Sequence, residues 1–280
     1  MIYLTKFTLL DPKQENDIID QRNIYNTYYP IGLFSSKEFY NIEFEPVTIF
    51  YGGNGSGKST LLNMIAQKLN AMQRNKNIKG TNFDNYVNFC HEFLRGYPEE
   101  IKFISSDDVF DSLLDVRAIN SGVNRRKEEL SREYINNKYA SQNAYDSYED
   151  LKLRIETRKE SMSSYIRKRL TNNNIIQNSN GESALMFWER EIDENSIYIL
   201  DEPENSLSAE NQLKLKKFLE DSARFYNCQF IIATHSPFLL AIEQAKIYDL
   251  DAFPVDTKKW SDLENVKIYQ SFFKERESEF

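Results

Sequence analysis

The pattern of apolar and polar positions predicts buried strands that alternate with amphipathic helices. Near-continuous apolar runs that end at polar residues or glycine occupy residues 47–51, 101–105, 196–200, 229–233 and 245–250. Such runs are typical of strands covered on both faces, as in parallel sheets. Apolar residues at helical spacing occupy residues 59–69, 181–192, 208–226 and 262–277. We therefore expect an α/β fold with a mostly parallel sheet and helices on both of its faces.

The N-terminal pattern differs, because residues 2–10 and 39–45 alternate at a period of two. That period indicates half-buried strands, so we expect an added antiparallel part at the N-terminus. Residues 11–38 carry turn residues and predict a loop. Its tyrosines at 25–29 offer rings either for stacking on a nucleotide base or for packing the loop itself. Less regular connections are expected over residues 70–82 and, as a short helix or irregular segment, over 86–94.

The middle of the chain predicts a compact helical subdomain, inserted over residues 107–178 into a single domain of residues 1–280. Asp107 and Asp108 suit the start of a helix, and residues 122–170 have apolar spacing for two amphipathic helices. No heptad pattern persists long enough for a coiled coil. The basic residues fit either a nucleic-acid backbone or a solvated face of mixed charge. They are Arg125, Arg126, Arg167, Lys168 and Arg169.

Composition narrows the class of protein. The 280 residues are 40% hydrophobic and 28% charged, which is ordinary for a globular protein. The net charge of −8 argues against a chain built as a whole for nucleic acid, although a local basic patch stays open. No apolar run reaches the ~20 residues that span a bilayer, so no membrane insertion is expected. Without a signal-peptide pattern or metal-like spacing of Cys90 and Cys228, we expect a reducing cytoplasm.

A glycine-rich stretch matches the phosphate-loop pattern G-x-x-x-x-G-K-[ST] from Gly52 to Ser59. Glycines let backbone N–H groups crowd around a polyphosphate, Lys58 adds a charge for its phosphates, and the Ser59 hydroxyl can ligate Mg²⁺. A chance glycine-rich turn is the alternative, but a strand before and a helix after favour the phosphate loop. The predicted nucleotide-binding residues here are Gly52, Gly53, Asn54, Gly55, Ser56, Gly57, Lys58, Ser59 and Thr60.

Polar residues follow two other predicted strands. Asp201 and Glu202 end the run at 196–200, where Asp201 suits Mg²⁺ and Glu202 suits a general base that polarises the attacking water. A surface turn after a strand is the plainer interpretation of that pair. His235 ends the run at 229–233 and can hydrogen-bond a γ-phosphate or the water, or can simply cap the strand. His91 has no partner at ligand spacing and is predicted to be structural or solvent-facing.

Four ordered motifs resemble those of the ATP-binding-cassette ATPases. The chain is most similar to their soluble AAA-family branch, which includes the head domains of chromosome-maintenance and DNA-repair ATPases. Gly52–Thr60 matches Walker A, and Ile197–Glu202 matches Walker B with its catalytic glutamate. Asn205–Ser208 occupies the D-loop position and His235 that of the switch histidine. The resemblance implies a P-loop fold, ATP and Mg²⁺ as ligands, and Lys58, Glu202 and His235 as catalytic residues.

The signature motif of that family, L-S-G-G-Q, has an incomplete counterpart at residues 178–182. Ser179 and Gly181 are kept, while Asn178, Asn180 and Glu182 depart from the pattern. Ser179, Gly181 and Glu182 are still expected to contact the nucleotide from a helix start. No convincing glutamine loop is present, and Asp107 or Asp108 is a candidate stand-in.

The resemblance further implies a head-to-tail homodimer that forms with ATP and reopens after hydrolysis. A separately encoded effector is the expected partner, since residues 122–170 are too few for long coiled-coil arms. Bacterial anti-phage defence and DNA repair both fit, with nucleic acid left open as a partner. The alternatives are an ATP-binding motor subunit of a membrane transporter and a non-catalytic module that keeps ATP as a structural ligand.

Overall fold

The computed structural model describes residues 1–22, 29–74, 81–139, 157, 159–169, 180–205 and 207–279. The chain divides into two compact units, each described by itself below. One unit comprises Met1–Phe110 together with Asn180–Phe280, and the other comprises Asp111–Ser179. The assignment of an inserted domain at 107–178 stays a prediction. The tyrosines at 25 and 28, and the residues 170–179 that include Ser179, lie outside the described residues.

The larger unit contains two β-sheets. The strands are β1 Leu4–Thr8, β2 Asn41–Glu43, β3 Val47–Tyr51, β4 Met72–Gln73, β5 His91–Leu94, β6 Ile101–Ser105, β7 Ile197–Asp201, β8 Gln229–Ala233, β9 Lys246–Asp249 and β10 Asp256–Thr257. Seven strands form the main sheet in the order β10-β9-β3-β8-β7-β6-β4, and its pairs are parallel except β10 with β9. The predicted α/β fold with a mostly parallel sheet is therefore confirmed.

Helices connect these strands. They are α1 Pro12–Arg22, α2 Lys58–Lys68, α3 Thr81–Phe89, α4 Ser106–Tyr139, α5 Met162–Arg169, α6 Asn180–Glu191, α7 Ala209–Phe225, α8 Pro237–Leu240 and α9 Glu264–Glu275. Short 3₁₀ turns occupy Ser35–Lys37, Trp260–Asp262 and Glu277–Glu279. Within the described part of the chain, none of the helices has the length and apolarity that a bilayer crossing requires.

The register of the parallel strands brings their carboxyl ends to one edge of the main sheet. Phe50 of β3 lies opposite Ala233 of β8, which lies opposite Asp201 of β7. Asp201 in turn lies opposite Ser105 of β6. All five residues of β3 and of β8 are buried, so a slip of the register would displace core side chains. The residues that follow these strands are therefore held close together.

The second sheet is antiparallel, in the order β2-β1-β5, as predicted for the N-terminal part. Gln229, fully buried at the start of β8, joins this sheet to the main one. Its Oε1 accepts hydrogen bonds from the N–H groups of Tyr3 and Leu4 at 2.9 and 2.8 Å. Its Nε2 donates to the carbonyl of Leu4 at 2.8 Å. One amide side chain thus satisfies three backbone groups of the first strand region.

The loop predicted over 11–38 is wrong in its first half, which forms helix α1. The Asp11-Pro12 pair, interpreted as a turn, instead starts the helix. The Asp11 carboxylate accepts from the Gln14 N–H at 2.8 Å, and the Gln14 side chain accepts from the Asp11 N–H at 3.0 Å. This reciprocal pair is a capping box, and proline is favoured just after such a cap. The helix has little apolar periodicity, so the pattern did not reveal it.

Two further expectations need correction. Residues 70–82 hold strand β4 and the start of α3, and 86–94 hold the end of that helix followed by strand β5. Strand β5 is mostly exposed at the edge of its sheet, and such a strand leaves little sequence pattern. Helix α4 is continuous from Ser106, so the helix predicted to open there and the first helix predicted within 122–170 are one element.

The smaller unit is organised around a cluster of buried Leu130, Tyr134 and Tyr165. The Tyr134 hydroxyl donates to the carbonyl of Glu160 at 2.8 Å. Most of the predicted basic spots have partners within the unit: Arg125 and Arg126 with Glu129, Lys168 with Glu160, and Arg169 over the Tyr165 ring. The side chain of Arg167 lies outside the described residues. These contacts favour the solvated, mixed-charge interpretation of the helix face.

Gln229→Ala should destabilise the larger unit by about 3 kcal/mol, because it leaves buried N–H groups of Tyr3 and Leu4 without an acceptor. Chemical denaturation measures this as a lower midpoint. The matched control is Gln67→Ala, which removes one exposed side-chain hydrogen bond to Asp84 and should change stability by less than about 0.5 kcal/mol. Equal stability of the two variants would contradict the role assigned to Gln229.

Candidate nucleotide-binding site

The predicted phosphate loop joins strand β3 to helix α2, as the sequence pattern indicated. Gly55 and Gly57 have φ angles of 81° and 105°, in the left-handed region that favours glycine. A Cβ atom at Gly57 would also lie 3.1 Å from the Phe34 ring. Backbone N–H groups in such a turn form a concave nest suited to an anion, at the positive end of the α2 dipole.

Lys58 is buried and folded back onto this loop. Its Nζ donates to the carbonyl oxygens of Gly52 at 2.7 Å and Gly53 at 3.1 Å. The ammonium group is therefore fixed inside the loop by weak, neutral acceptors. A phosphate oxygen carries more negative charge than a carbonyl, so it would compete well for the same donors. At the next turn, the Thr60 hydroxyl lies 2.7 Å from the Tyr29 hydroxyl.

Two side chains absent from the predicted site hold the loop from its outer side. The Gly53 N–H donates to Asp251 Oδ2 at 2.6 Å. Lys37 Nζ donates to the carbonyls of Ser56 at 2.9 Å and Leu250 at 2.7 Å. Asp251 follows strand β9, which pairs with β3, so the rule that ligands gather beyond carboxyl ends of strands could have identified it. Lys37 gave no such signal.

Asp201 ends strand β7 beside this loop. Burial raises the pKa of its carboxyl from 3.8 to about 6; a hydrogen bond from Ser59 acts in the opposite direction, and the nearby Glu202 charge raises it further. Among the described residues, its buried Oδ1 has no hydrogen-bond partner. A carboxylate that is costly to ionise and has an oxygen left over is suited to a cation.

Ser59 and Asp201 fit the magnesium ion that the sequence resemblance implies. No cluster of three or more His, Cys, Asp or Glu side chains that could cage a metal occurs among the residues the structure describes. Mg²⁺ at nucleotide sites needs no such cage, since one or two protein oxygens, phosphate oxygens and waters complete its shell. The Ser59 hydroxyl and the unpartnered Asp201 oxygen would supply the protein ligands of such an ion.

Glu202 and His235 are brought together at the ends of neighbouring strands. Glu202 Oε1 lies 2.9 Å from His235 Nε2, and both side chains are about one-third exposed, at 28% and 35%. The other oxygen of Glu202 accepts from the Asn205 amide at 3.0 Å. The φ angle of Glu202 is 50°, in the left-handed region, so its side chain departs from the strand direction of Asp201. The predicted general base and the predicted switch histidine therefore lie in direct contact, which the sequence did not predict.

Glu204 is a buried residue that the predictions omitted. Its Oε1 accepts hydrogen bonds from the Thr234 hydroxyl at 2.6 Å and from the N–H groups of His235 and Ser236 at 3.0 and 3.2 Å. It thereby joins the turn after β7 to the segment after β8. Its position two residues beyond Glu202 was the available signal, but a glutamate in a turn is more often a solvent-facing residue.

The remaining predicted residues are only partly described. Ser179 lies outside the described residues, while Gly181 and Glu182 fall in the first turn of α6, where the described structure covers the backbone alone. Their contact with a nucleotide stays a prediction. Of the two candidates for a glutamine-loop stand-in, Asp108 accepts from the N–H and hydroxyl of Ser105 at 2.8 Å each, which caps helix α4.

The fold and the site define a P-loop nucleotide-binding domain of the ABC type. Residues 31–271 match the family described as AAA domain, and the chain belongs to that family. This membership confirms the recognition of an ABC-type ATPase domain of the AAA family. It places the chain among proteins that bind and hydrolyse nucleotides in general.

Shorter and more distant similarities accompany this match. Over 74 residues the chain is 39% identical to the small ribosomal subunit biogenesis GTPase RsgA of Enterococcus faecalis (strain ATCC 700802 / V583), covering 25% of each protein. The chain thus spans about a quarter of the length of that relative. An SMC head domain from Thermotoga maritima is 15% identical, with a TM-score of 0.41 over 92% of this chain and 99% of that one.

A nucleotide-free ATP-binding cassette from an ABC transporter gives similar values. It is 13% identical, with a TM-score of 0.42 over 97% of this chain and 96% of that one. At these scores neither structure adds an argument, so the assignment rests on the family match.

Asp201→Asn should stabilise the nucleotide-free, metal-free protein by about 3 kcal/mol at pH 8, because it removes a buried charge. The folded pKa, about 6, exceeds the unfolded value of 3.8, so the wild-type penalty is complete above about pH 6 and disappears below about pH 4. Thermal unfolding in EDTA across that range measures the difference between the proteins. A difference that is the same at pH 4 and pH 8 would contradict the assigned cause.

Proposed function

We propose that this protein is a Mg²⁺-dependent ATPase whose hydrolysis drives a head-to-tail dimer switch that controls a partner. The observation that carries the catalytic part is the 2.9 Å contact between Glu202 and His235 at the sheet edge that also holds the phosphate loop. A surface turn would leave the two side chains free of each other. A base held by a second polar side chain is the arrangement that hydrolysis requires.

Each residue has a distinct task in the proposed reaction. The Lys58 ammonium exchanges the carbonyls of Gly52 and Gly53 for oxygens of the outer phosphates. Because the loop already holds this positive charge nearby, little rearrangement is needed. Glu202 orients a water whose oxygen bonds to the γ-phosphorus as the bond to the bridging oxygen breaks. The water proton passes to the Glu202 carboxylate. His235 Nε2 donates to the same carboxylate and keeps it aimed at the water.

Ser59 and Asp201 would hold Mg²⁺ when the nucleotide binds. When bound, the ion would neutralise negative charge on the phosphate oxygens and so lower the barrier to phosphoryl transfer. The unpartnered buried oxygen of Asp201 supports this assignment, because a bound cation lowers the cost of ionising a carboxyl whose pKa is raised to about 6. The pairing also ties the metal site to the same strand end as the general base.

The dimer is proposed because the phosphate loop contacts a nucleotide from one side only. The exposed γ-phosphate would then meet Ser179, Gly181 and Glu182 of a second copy, at the start of its helix α6. A contact made by ATP and lost with ADP shifts the equilibrium between monomer and dimer. Support comes from the ordered motifs and the family resemblance.

The biological partner is proposed at the level of class. A separate effector protein, in anti-phage defence or DNA repair, fits an ATPase domain with a compact helical segment. Nucleic acid is less favoured at the predicted basic patch, because Arg125 and Arg126 lie within salt-bridge distance of Glu129. The transporter-motor alternative has no specific observation in its favour.

Wild-type protein should hydrolyse ATP with Mg²⁺, and Glu202→Gln should reduce kcat by at least about 100-fold while ATP still binds. The reason is that the amide accepts no proton from the water but keeps the size of the side chain. Phosphate release measures turnover, and a fluorescent ATP analogue measures binding. GTP, the ligand class of the RsgA relatives, serves as the competing nucleotide.

The matched control for that experiment is Glu243→Gln, which changes an exposed glutamate far from the motifs. It should hydrolyse ATP at the wild-type rate. Equal turnover by wild type and Glu202→Gln would remove Glu202 as the base. Tight ATP binding without turnover by wild type would instead support the non-catalytic module.

The dimer switch predicts that Glu202→Gln with ATP and Mg²⁺ sediments as a dimer, because the unhydrolysed γ-phosphate keeps the second copy bound. The same variant with ADP should sediment as a monomer. Analytical ultracentrifugation at several protein concentrations separates the two species. A single species under both nucleotides would exclude the ATP-driven switch and leave the hydrolysis assignment intact.

A further inference from the structure

The backbone of His235 is held at both ends by side chains outside the predicted motifs. Its N–H donates to Glu204 Oε1 at 3.0 Å, and its carbonyl accepts from Asn265 Nδ2 at 2.8 Å. Its imidazole Nε2 lies 2.9 Å from Glu202. The position of a side chain depends on the orientation of its own backbone. These two hydrogen bonds to the His235 backbone therefore determine whether the imidazole reaches Glu202.

Asn265 makes a second contact, which reaches the other half of the site. Its backbone N–H donates to the Tyr51 hydroxyl at 3.1 Å. Tyr51 is the last residue of β3 and directly precedes Gly52 of the phosphate loop. A single residue in the first turn of α9 therefore contacts both the strand that presents the loop and the segment that presents the histidine.

Helix α9 packs against the rest of the larger unit mainly through this same first turn. Leu263 and Val266 are buried, whereas Ile268 and Phe272 further along are about half exposed. A cavity of about 730 Å³ lies beside the turn and is lined in part by Glu204, His235, Trp260, Asn265, Tyr269 and Phe273. His235 and Asn265 thus both line this cavity, and the Asn265 amide donates to the His235 carbonyl beside it.

We propose that Asn265 is a positioning residue that sets the orientation of His235 through its carbonyl group. The inference rests on the proposed hydrolysis and adds to it a residue that lies in none of the recognised motifs. Asn265 touches neither reacting atom, so it acts only through the histidine. Loss of the amide frees the carbonyl to rotate toward the cavity, which water can enter, and Nε2 then leaves Glu202.

The chain offers a direct spectroscopic readout, because it contains two histidines. His91, exposed on strand β5, serves as an internal reference. In histidine-labelled protein, Asn265→Ala should shift the His235 imidazole resonances, while those of His91 stay in place. His91→Gln assigns the two signals. Unchanged His235 resonances would overturn the proposal whether or not the protein hydrolyses ATP.

The kinetic test separates positioning from general stability. Asn265→Ala should lower kcat roughly tenfold, with the KM for ATP within about twofold of wild type, because the phosphate loop is untouched. On a His235→Ala background the same change should cost nothing further, since the residue through which it acts is gone. An equal loss on both backgrounds would show a merely structural role and overturn the proposal.

Two further variants guard this test. If Asn265→Ala does not fold, Asn265→Asp takes its place. Its side chain has the same size but, when ionised, cannot donate to the His235 carbonyl. It should therefore show the same shift of the His235 resonances and the same loss of kcat. Lys267→Ala, an exposed change in the same helix, should match wild type in resonances and kcat. If the wild-type protein does not hydrolyse ATP, the proposed function is wrong. The role of Asn265 can then still be tested by the shift of the His235 resonances.

Discussion

The alignment of strand ends in the main sheet is the constraint on which the rest of the site depends. Phe50, Ala233 and Asp201 share one register across three parallel strands, and two of these strands are wholly buried. A one-residue slip would turn core side chains toward solvent, so hydrophobic burial fixes the register. Residues far apart in sequence therefore lie at the same edge of the sheet. The strand register places them there, and contacts among these residues are not needed for it.

That edge concentrates charge that the protein alone does not fully neutralise. The Lys58 ammonium rests on two carbonyl groups, while Asp201 retains a buried oxygen without a partner among the described residues. Both features are costly in the free protein, and a bound phosphate at Lys58 and a bound cation at Asp201 would relieve them. The site is thus preorganised for a ligand at the expense of stability in its absence, which is common where function and folding compete.

The fold and the motif residues were predictable because each leaves a local signal. Buried parallel strands read as apolar runs, and Gly52–Ser59 has a fixed spacing. Helix α1 escaped because its stability comes from the Asp11–Gln14 cap and from tertiary contacts rather than from periodicity. Asn265 lies in an ordinary amphipathic helix and acts through one amide. Its role depends on tertiary packing, which brings its amide within 3 Å of the His235 carbonyl. The pattern of residues along a single sequence does not reveal such a contact.

The C-terminal segment after β8 therefore belongs to the candidate nucleotide site as much as the motifs do. Asp251 holds the Gly53 N–H, and Asn265 joins Tyr51 to the carbonyl of His235. The contacts on Gly53 and His235 act on backbone groups, whereas the contact on Tyr51 acts on its side-chain hydroxyl, and together they constrain where the loop and the histidine lie. A displacement at the start of α9 must alter the strand end before Gly52 and the His235 carbonyl together. The two halves of the site are consequently coupled through one helix turn.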